Sequence, residues 1–293
     1  MNTIHSSIVI VLWLSLSLFA DRTLGQSDTI RFAFITDTHF GQPSQSGELL
    51  YPDEWLRQAL AGIERQRAEF ILHGGDLIAS SNNAAQYAMF DSAMATPLPW
   101  YPMPGNHDIG RESSATFEKI TTWIRRGYGR GTNDREYYGF VKKNIGAFFV
   151  LNTLANTSLD SAVRVRADSQ LVEMDDFFTA NASVPQKFIC SHVPIFIDAQ
   201  SEDSTGYFSV GSPYRNRIIT LMNKHNVRMY LAGHRHVNGV KTDGNITVNF
   251  NTAISFQLGI GNERGYYVYT LTANSVRRDF YPLSLEPDVT WRK

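Results

Sequence analysis

Residues 30–39 read IRFAFITDTH. The run Ile30–Thr36 has the length and the branched and aromatic make-up of a buried strand, and it stops on Asp37 and His39. The same event recurs along the chain. Phe70–His73 runs into Gly74-Gly75-Asp76, Pro99–Met103 into Gly105-Asn106-His107-Asp108, Lys187–Ser191 into His192, and Val227–Ala232 into Gly233-His234-Arg235-His236. Ligands of α/β sheets gather beyond the carboxyl ends of strands. Five of the eight histidines lie in these turns, leaving only His5, His73 and His225 elsewhere, a bias that random placement rarely produces.

Working outward, helical patterns separate the strands. Pro52-Asp53-Glu54 opens one that carries Leu56, Leu60 and Ile63 at 3–4 spacing. Others are expected near Ala84–Ala95, over Ser113–Arg126, around Leu171, Met174 and Phe178, and through His225. Glu136–Val141 and Gly146–Asn152 read as strands, and Asn245–Asn251, Gly265–Thr270 and Ser275–Tyr281 as a closing run of antiparallel strands. Alternating strands and helices with a strand-rich end predict an α/β domain of two packed sheets with helices outside. No internal repeat or interdomain linker interrupts residues 26–293, which are expected to form one domain.

Lys and Arg total 27 against 28 Asp and Glu, so the net charge is -1 and bulk charge does not drive tracking of nucleic acid or anionic membrane. Cys190 is the sole cysteine, which excludes an internal disulfide and any cysteine-cluster metal site. Ile8–Ala20 is a 13-residue apolar run. It is about 20 Å long as a helix against a hydrocarbon core of roughly 30 Å. Thr23 and Gly25 stand where a signal peptidase cuts, so residues 1–25 are expected to be a signal peptide. A secreted or periplasmic location follows, without an integral membrane domain after cleavage; a retained N-terminal anchor is the alternative.

The strand-end donors are four imidazoles (His39, His192, His234, His236), two carboxylates (Asp37, Asp76) and the Asn106 amide. That set suits Mn, Fe or Zn and lacks the thiolates that select softer metals. The ordered pattern D-x-H, GD, GNHD, H, GHxH, from Asp37 to His236, resembles the calcineurin-like metallophosphoesterases. The resemblance implies a four-layer α/β/β/α sandwich of two mixed sheets with flanking helices. It implies two divalent or mixed-valence ions, one held by Asp37, His39, Asp76 and His236, the other by Asp76, Asn106, His192 and His234, with Asp76 bridging. His107 becomes the acid beside the site, positioned by Asp108, and a hydroxide between the metals becomes the nucleophile. Asn106, His107 and Arg235 are the candidate substrate contacts. Two divalent ions roughly 3.5–4 Å apart repel by about 20 kcal/mol at an effective dielectric near 20, so anions must lie between them.

The stretch from His192-Val193-Pro194 through Tyr207-Phe208, Arg215 and GHRHVN to Thr252–Gly259 is similar to an animal branch of the family regarded as Ser/Thr protein phosphatases. Purple acid phosphatases carry a tyrosine three residues after the bridging aspartate, where this chain has Ala79, which argues against a tyrosinate-bound Fe(III). The expected activity is a phosphatase acting on small phosphomonoesters or phosphoproteins. A phosphodiesterase of cyclic nucleotides or other diesters, and a metal-scaffold binding protein without turnover, are the alternatives. Asp108 is open to a second reading as a turn cap, and Arg235 to one as a solvated arginine. Phe196, Tyr207 and Phe208, in and beside the loop Asp198–Pro213, are candidates to line a substrate cleft. His73 is expected to end a strand, His225 to face water at a helix end, and Cys190 to be a small buried strand residue.

Overall fold

A computed structural model describes residues 29–45, 48–131, 134–203, 207–258 and 263–283. The signal-peptide reading therefore falls outside the described residues. Strand Ile30–Ile35 lies at the centre of a five-stranded sheet, ordered Val276–Pro282, Gly265–Leu271, Ile30–Ile35, Phe70–His73, Trp100–Pro102. The last three run parallel and the first two antiparallel to their neighbours. The second sheet has six strands, ordered Gly239–Asp243, Ile246–Phe250, Met229–Ala232, Gln186–Ser191, Gly146–Val150, Tyr138–Lys142, with the middle four parallel and both edges antiparallel.

Strand side chains alternate between faces, and that alternation builds the layers. Phe32 and Phe34 join Phe70, Phe148, Phe188 and Tyr269 in the cluster between the sheets. Phe32 stacks on Tyr269 at 4.8 Å and meets Phe148 edge-on at 5.2 Å. Ala33 and Ile35, pointing the other way, pack with Leu56, Ala59 and Ile63 of helix Pro52–Arg65. Each ring buried this way contributes about 1.5–3 kcal/mol. The result is the two-sheet sandwich with helices outside. Cys190 is a free, buried strand thiol, and burial pushes it above the usual thiol range.

Three local expectations are corrected. The stretch Ser113–Arg126 is broken: a 3-10 turn Glu112–Ser114 precedes helix Phe117–Trp123, whose start is fixed by Thr116 Oγ1 accepting Lys119 N–H at 3.3 Å. A wide turn, Ile124–Tyr128, follows, with Gly127 at φ 83°. In the tail, Ile246–Phe250 crosses to the second sheet and runs parallel to Met229–Ala232. Its antiparallel partner is the half-exposed edge strand Gly239–Asp243, which has too few apolar residues to be visible by pattern. His225 does not face water: its Nε2 lies 2.5 Å from Asp175 Oδ1, its ring packs near Phe178, and its side chain is 8% exposed. Helix ends follow ordinary capping; Asn83 accepts from Ala85 and Gln86 N–H at 3.1 Å ahead of helix Ala84–Ala93, and Asp160 from Ala162 N–H at 2.9 Å ahead of Ser161–Ala180.

Candidate metal centre

Parallel strands deliver their following turns to one edge of each sheet, and the two edges meet. Five of the seven donor residues sit there in left-handed backbone, with φ of 56° at Asp37, 46° at His39, 53° at Asp76, 69° at His234 and 53° at His236. Such a conformation costs a non-glycine residue roughly 1–2 kcal/mol and persists where surrounding bonds over-determine it. Here Asp37 N–H donates to Gly75 O, His39 N–H to Asp76 O and Phe40 N–H to Leu77 O, each at 3.0 Å, zipping the first two turns together. Gly75 supplies a turn at φ 92°. Gly105 serves close approach instead: a Cβ there would lie 2.1 Å from Asp76 Oδ1.

The imidazole protons can be placed from their partners. His192 Nδ1 lies 2.7 Å from Gly74 O, His236 Nδ1 2.8 Å from Phe256 O, and His234 Nε2 2.7 Å from Tyr207 O. A carbonyl only accepts, so these nitrogens donate, and in the neutral rings His192 Nε2, His236 Nε2 and His234 Nδ1 offer the lone pairs. The lone pairs face other acceptors. His192 Nε2 is 3.1 Å from His234 Nδ1, 3.1 Å from Asn106 Oδ1 and 3.2 Å from Asp76 Oδ2. His236 Nε2 is 3.2 Å from both His39 Nε2 and Asp37 Oδ1, and His39 Nε2 is 3.5 Å from Asp76 Oδ2. Asp37 Oδ1 is buried with no hydrogen-bond donor among the described residues. Acceptors this close repel unless positive charge lies between them.

The atoms form three overlapping groups, Asp37 with His39 and His236, His39 with Asp76 and His107, and Asp76 with His192 and His234, the atoms of each within 4.8 Å of one another. Asp76 Oδ2 touches a histidine of each, as a bridging ligand must. The residues fit a pair of cations. The electrostatics agree: burial opposes ionisation of Asp37 and Asp76, yet the imidazoles of His236 and His192 hold both carboxyls below the usual range. Burial also disfavours charge on His192, but without a cation Asp76 beside it lifts that imidazole to about 9, so the ring takes up a proton that a metal would displace, while burial and His192 drive His234 down to about 4. The cluster draws positive charge into its centre.

The carboxylates are held from behind. Asp37 Oδ2 accepts from Thr36 Oγ1 at 2.6 Å and from His234 N–H at 3.1 Å, and Asp76 Oδ1 accepts from His107 N–H at 2.8 Å. His107, in the short helix Asn106–Ile109, donates Nδ1–H to Ala79 O at 2.7 Å, so its Nε2 is the nitrogen free to exchange a proton. Its ring meets His39 edge-on at 4.6 Å. Among the described hydrogen bonds, those of the Asp108 carboxylate go to backbone N–H groups and not to the His107 ring. Fully buried, its carboxylate accepts from Leu77 N–H at 2.9 Å, Ile78 N–H at 3.3 Å and Gly105 N–H at 2.8 Å. It clamps the turn that carries Asp76 and, one residue past Ile78, the Ala79 carbonyl that holds His107. His73 ends its strand behind the cluster, accepting from Gly75 N–H and facing Thr38 Oγ1 at 3.3 Å.

A cavity of about 230 Å³ opens over the donors, with Asn106 and His107 in its wall. Tyr207, Phe208, Phe256 and Leu258 form its apolar part. Phe196 is instead fully buried in the core. Arg235 does not line this cavity; its guanidinium lies over the Phe250 ring at 5.3 Å. The carbonyls of Gly74, Tyr207 and Phe256 and the Thr36 hydroxyl, which set the protons and orient the ligands, carry no signal in sequence because any residue supplies a carbonyl. The segment that follows Ile246–Phe250 reaches the site too, through Ser255 Oγ donating to Asp37 O at 2.6 Å.

Residues 30–238 match the family of calcineurin-like phosphoesterases. The chain belongs to that family. Among curated proteins, this phosphoesterase is 26% identical over 188 residues to the serine/threonine-protein phosphatase CPPED1 of Pongo abelii, covering 64% of this chain and 56% of that one. In fold it is similar to GAP50, the anchor in the inner membrane complex of Plasmodium, with a TM-score of 0.62 and 15% identity over 87% of this chain and 84% of that one. A dimetal phosphatase from Danio rerio gives 0.61 and 14% over 86% and 99%, and the purple acid phosphatase PPD1 of yellow lupin, Lupinus luteus, 0.62 and 14% over 88% and 52%. Phosphoesterases of this family use a dinuclear metal centre, in keeping with the donor groups here. No helix among the described residues is long and apolar enough to cross a membrane.

Proposed function

We propose that the protein is an exported, two-metal hydrolase of phosphate esters that acts as a phosphatase on phosphomonoesters, small or borne on a protein. The observation that carries this reading is the ring of inward nitrogens: three histidines held to carbonyls by one nitrogen turn the other inward, His192 onto Asp76 and Asn106, His236 onto Asp37, and His234 onto His192. The preference for monoesters draws on the likeness to a serine/threonine-protein phosphatase. Export draws on the apolar run Ile8–Ala20 and the small residues Thr23 and Gly25. Residues 26–293 are taken as the working unit.

Asp37, His39, Asp76 and His236 would hold one cation, and Asp76, Asn106, His192 and His234 the other; Mn, Fe and Zn suit these donors. When bound, the pair supplies Lewis-acid neutralisation of phosphoryl oxygens and activation of water. The side chains do the rest. His107 Nε2 carries a proton toward the leaving oxygen while Ala79 O fixes the ring through Nδ1. Asn106 turns Oδ1 toward His192, which leaves its NH2 for a phosphoryl oxygen. Phe256, packed at 4.3 Å on His236, keeps water from one side of the cluster.

The test is metal analysis of the purified protein, followed by assay on monoester, diester and cyclic phosphate substrates. Two metals per chain and a monoesterase activity that a chelator abolishes and metal restores support the proposal. Faster diester than monoester turnover overturns the substrate class, and a fully loaded protein that cleaves neither overturns the enzyme.

A further inference from the structure

The mouth of the cavity is built unlike its floor. Around the metal-facing groups the described lining is Gln42, Gln45, Tyr207, Phe208, Phe256 and Leu258, none of them charged. Tyr207 and Phe208 stand over His234, at centroid distances of 5.3 and 6.1 Å, and Phe256 over His39 and His236, at 5.1 and 4.3 Å, so apolar walls flank the two donor groups. Soluble surfaces bury rings of this size where they can, yet Tyr207 is 47% exposed, Phe208 46% and Leu258 37%. Tyr207 and Phe208 meet at 80° with centroids 4.6 Å apart, a two-walled corner. The corner is held still. The Arg111 guanidinium lies over the Tyr207 ring at 4.3 Å, and Tyr207 O accepts from His234 Nε2–H. Behind it, Glu202 accepts backbone N–H bonds from Ile197 at 3.0 Å and Asp198 at 2.8 Å, and the Ser209 hydroxyl at 2.6 Å.

We propose that this corner is a leaving-group subsite for a single planar ring, so that the preferred substrates are phosphate esters of aryl or heteroaryl alcohols. The inference rests on the metal-centred phosphate site argued above and names the substrate class it takes. A leaving group extending from a phosphoryl group on the His234 side of the donors would lie beside Phe208, a half-exposed ring in the cavity wall. A planar ring gains by stacking on one wall and meeting the other edge-on, whereas an alkyl or polyol group finds neither ring complementarity nor paired polar partners. The cavity volume of about 230 Å³ falls below the roughly 300–1,000 Å³ of drug-sized sites, which fits one phosphoryl group with one ring.

Binding decides this without turnover. Full-length protein loaded with Mn(II) is titrated calorimetrically with phenylphosphonate, cyclohexylphosphonate and methylphosphonate, as wild type, Phe208→Ala and Phe208→Tyr. Phenylphosphonate should bind wild type about tenfold tighter than the other two, a preference that Phe208→Ala abolishes and Phe208→Tyr keeps. Equal binding of phenyl and cyclohexyl, a preference that survives in Phe208→Ala, or no binding of any phosphonate overturns the subsite. The hydrolase reading fails separately: ring-selective phosphonate binding without ester hydrolysis removes the activity and keeps the subsite, and hydrolysis without ring preference does the reverse.

Discussion

Removing the metals should cost the fold a measurable share of its stability, and substituting Asp76 should remove that dependence altogether. Asp76 Oδ2 approaches a histidine of each outer donor group, and the two cations proposed there would bind the folded chain and not the unfolded one. At free metal one hundred times the dissociation constant, each site stabilises by about 2.7 kcal/mol, or about 5 kcal/mol for the pair. For a domain of this size 1 kcal/mol moves the midpoint by roughly 2–4 °C, so chelation should lower Tm by about 10–20 °C. Asp76→Asn also acts in metal-free protein. It removes the buried anion that pairs there with the charged His192, whose Nε2 lies 3.2 Å from Asp76 Oδ2. The metal-free variant should therefore melt below metal-free wild type and should gain nothing from added metal. Differential scanning fluorimetry with and without chelator, across a metal titration, reads all four states. A wild-type midpoint indifferent to chelator, or an Asp76→Asn variant that still responds to metal, refutes the lone-pair reasoning.

Other substitutions separate the roles. His107→Ala should keep both metals and lose about 10²–10⁴ in kcat; loss of metal equal to that of Asp76→Asn, by elemental analysis, would make it a ligand instead. Thr36→Val removes the hydroxyl that donates to Asp37 Oδ2 at 2.6 Å and should weaken one of two metal-binding steps by roughly 10–100-fold in a chelator competition; equal weakening of both steps contradicts this. Gly105→Ala drives a Cβ to 2.1 Å from Asp76 Oδ1 and should abolish metal binding, which wild-type stoichiometry would disprove. Burial works against the Glu202 charge, but N–H donors from Asp198 and its neighbours and the Ser209 hydroxyl hold its carboxyl below the usual range. A depressed folded value contributes stability above the unfolded pKa of about 4.3 that is lost as pH falls. Glu202→Gln should thus lower the urea midpoint at pH 7, by a margin that shrinks below about pH 4; a margin constant with pH refutes the charge as its source.

Much of the site was legible because its chemistry is written in rare letters. Aspartate and histidine at the ends of apolar runs are conspicuous, and the runs Ile30–Ile35, Phe70–His73 and Gln186–Ser191 lie within a residue or so of their expected limits. What stayed hidden acts through common atoms or through tertiary pairing. The Ala79 carbonyl that orients His107 belongs to a residue notable only for not being tyrosine. Asp108, next to His107 in sequence, proves to serve the turn thirty residues earlier, because a helical start sends adjacent side chains in different directions. Ile246–Phe250 looks like its antiparallel tail companions, and only the space beside Met229–Ala232 decides which sheet it joins.

The left-handed backbone at Asp37, His39, Asp76, His234 and His236 sets durability against purpose within one molecule. At roughly 1–2 kcal/mol each, the five conformations together approach the whole margin by which a typical domain stays folded. Glycine would relax every one of them. A lineage drifting under selection for heat resistance alone would erase this centre first, and the sandwich left behind would be tougher and chemically mute.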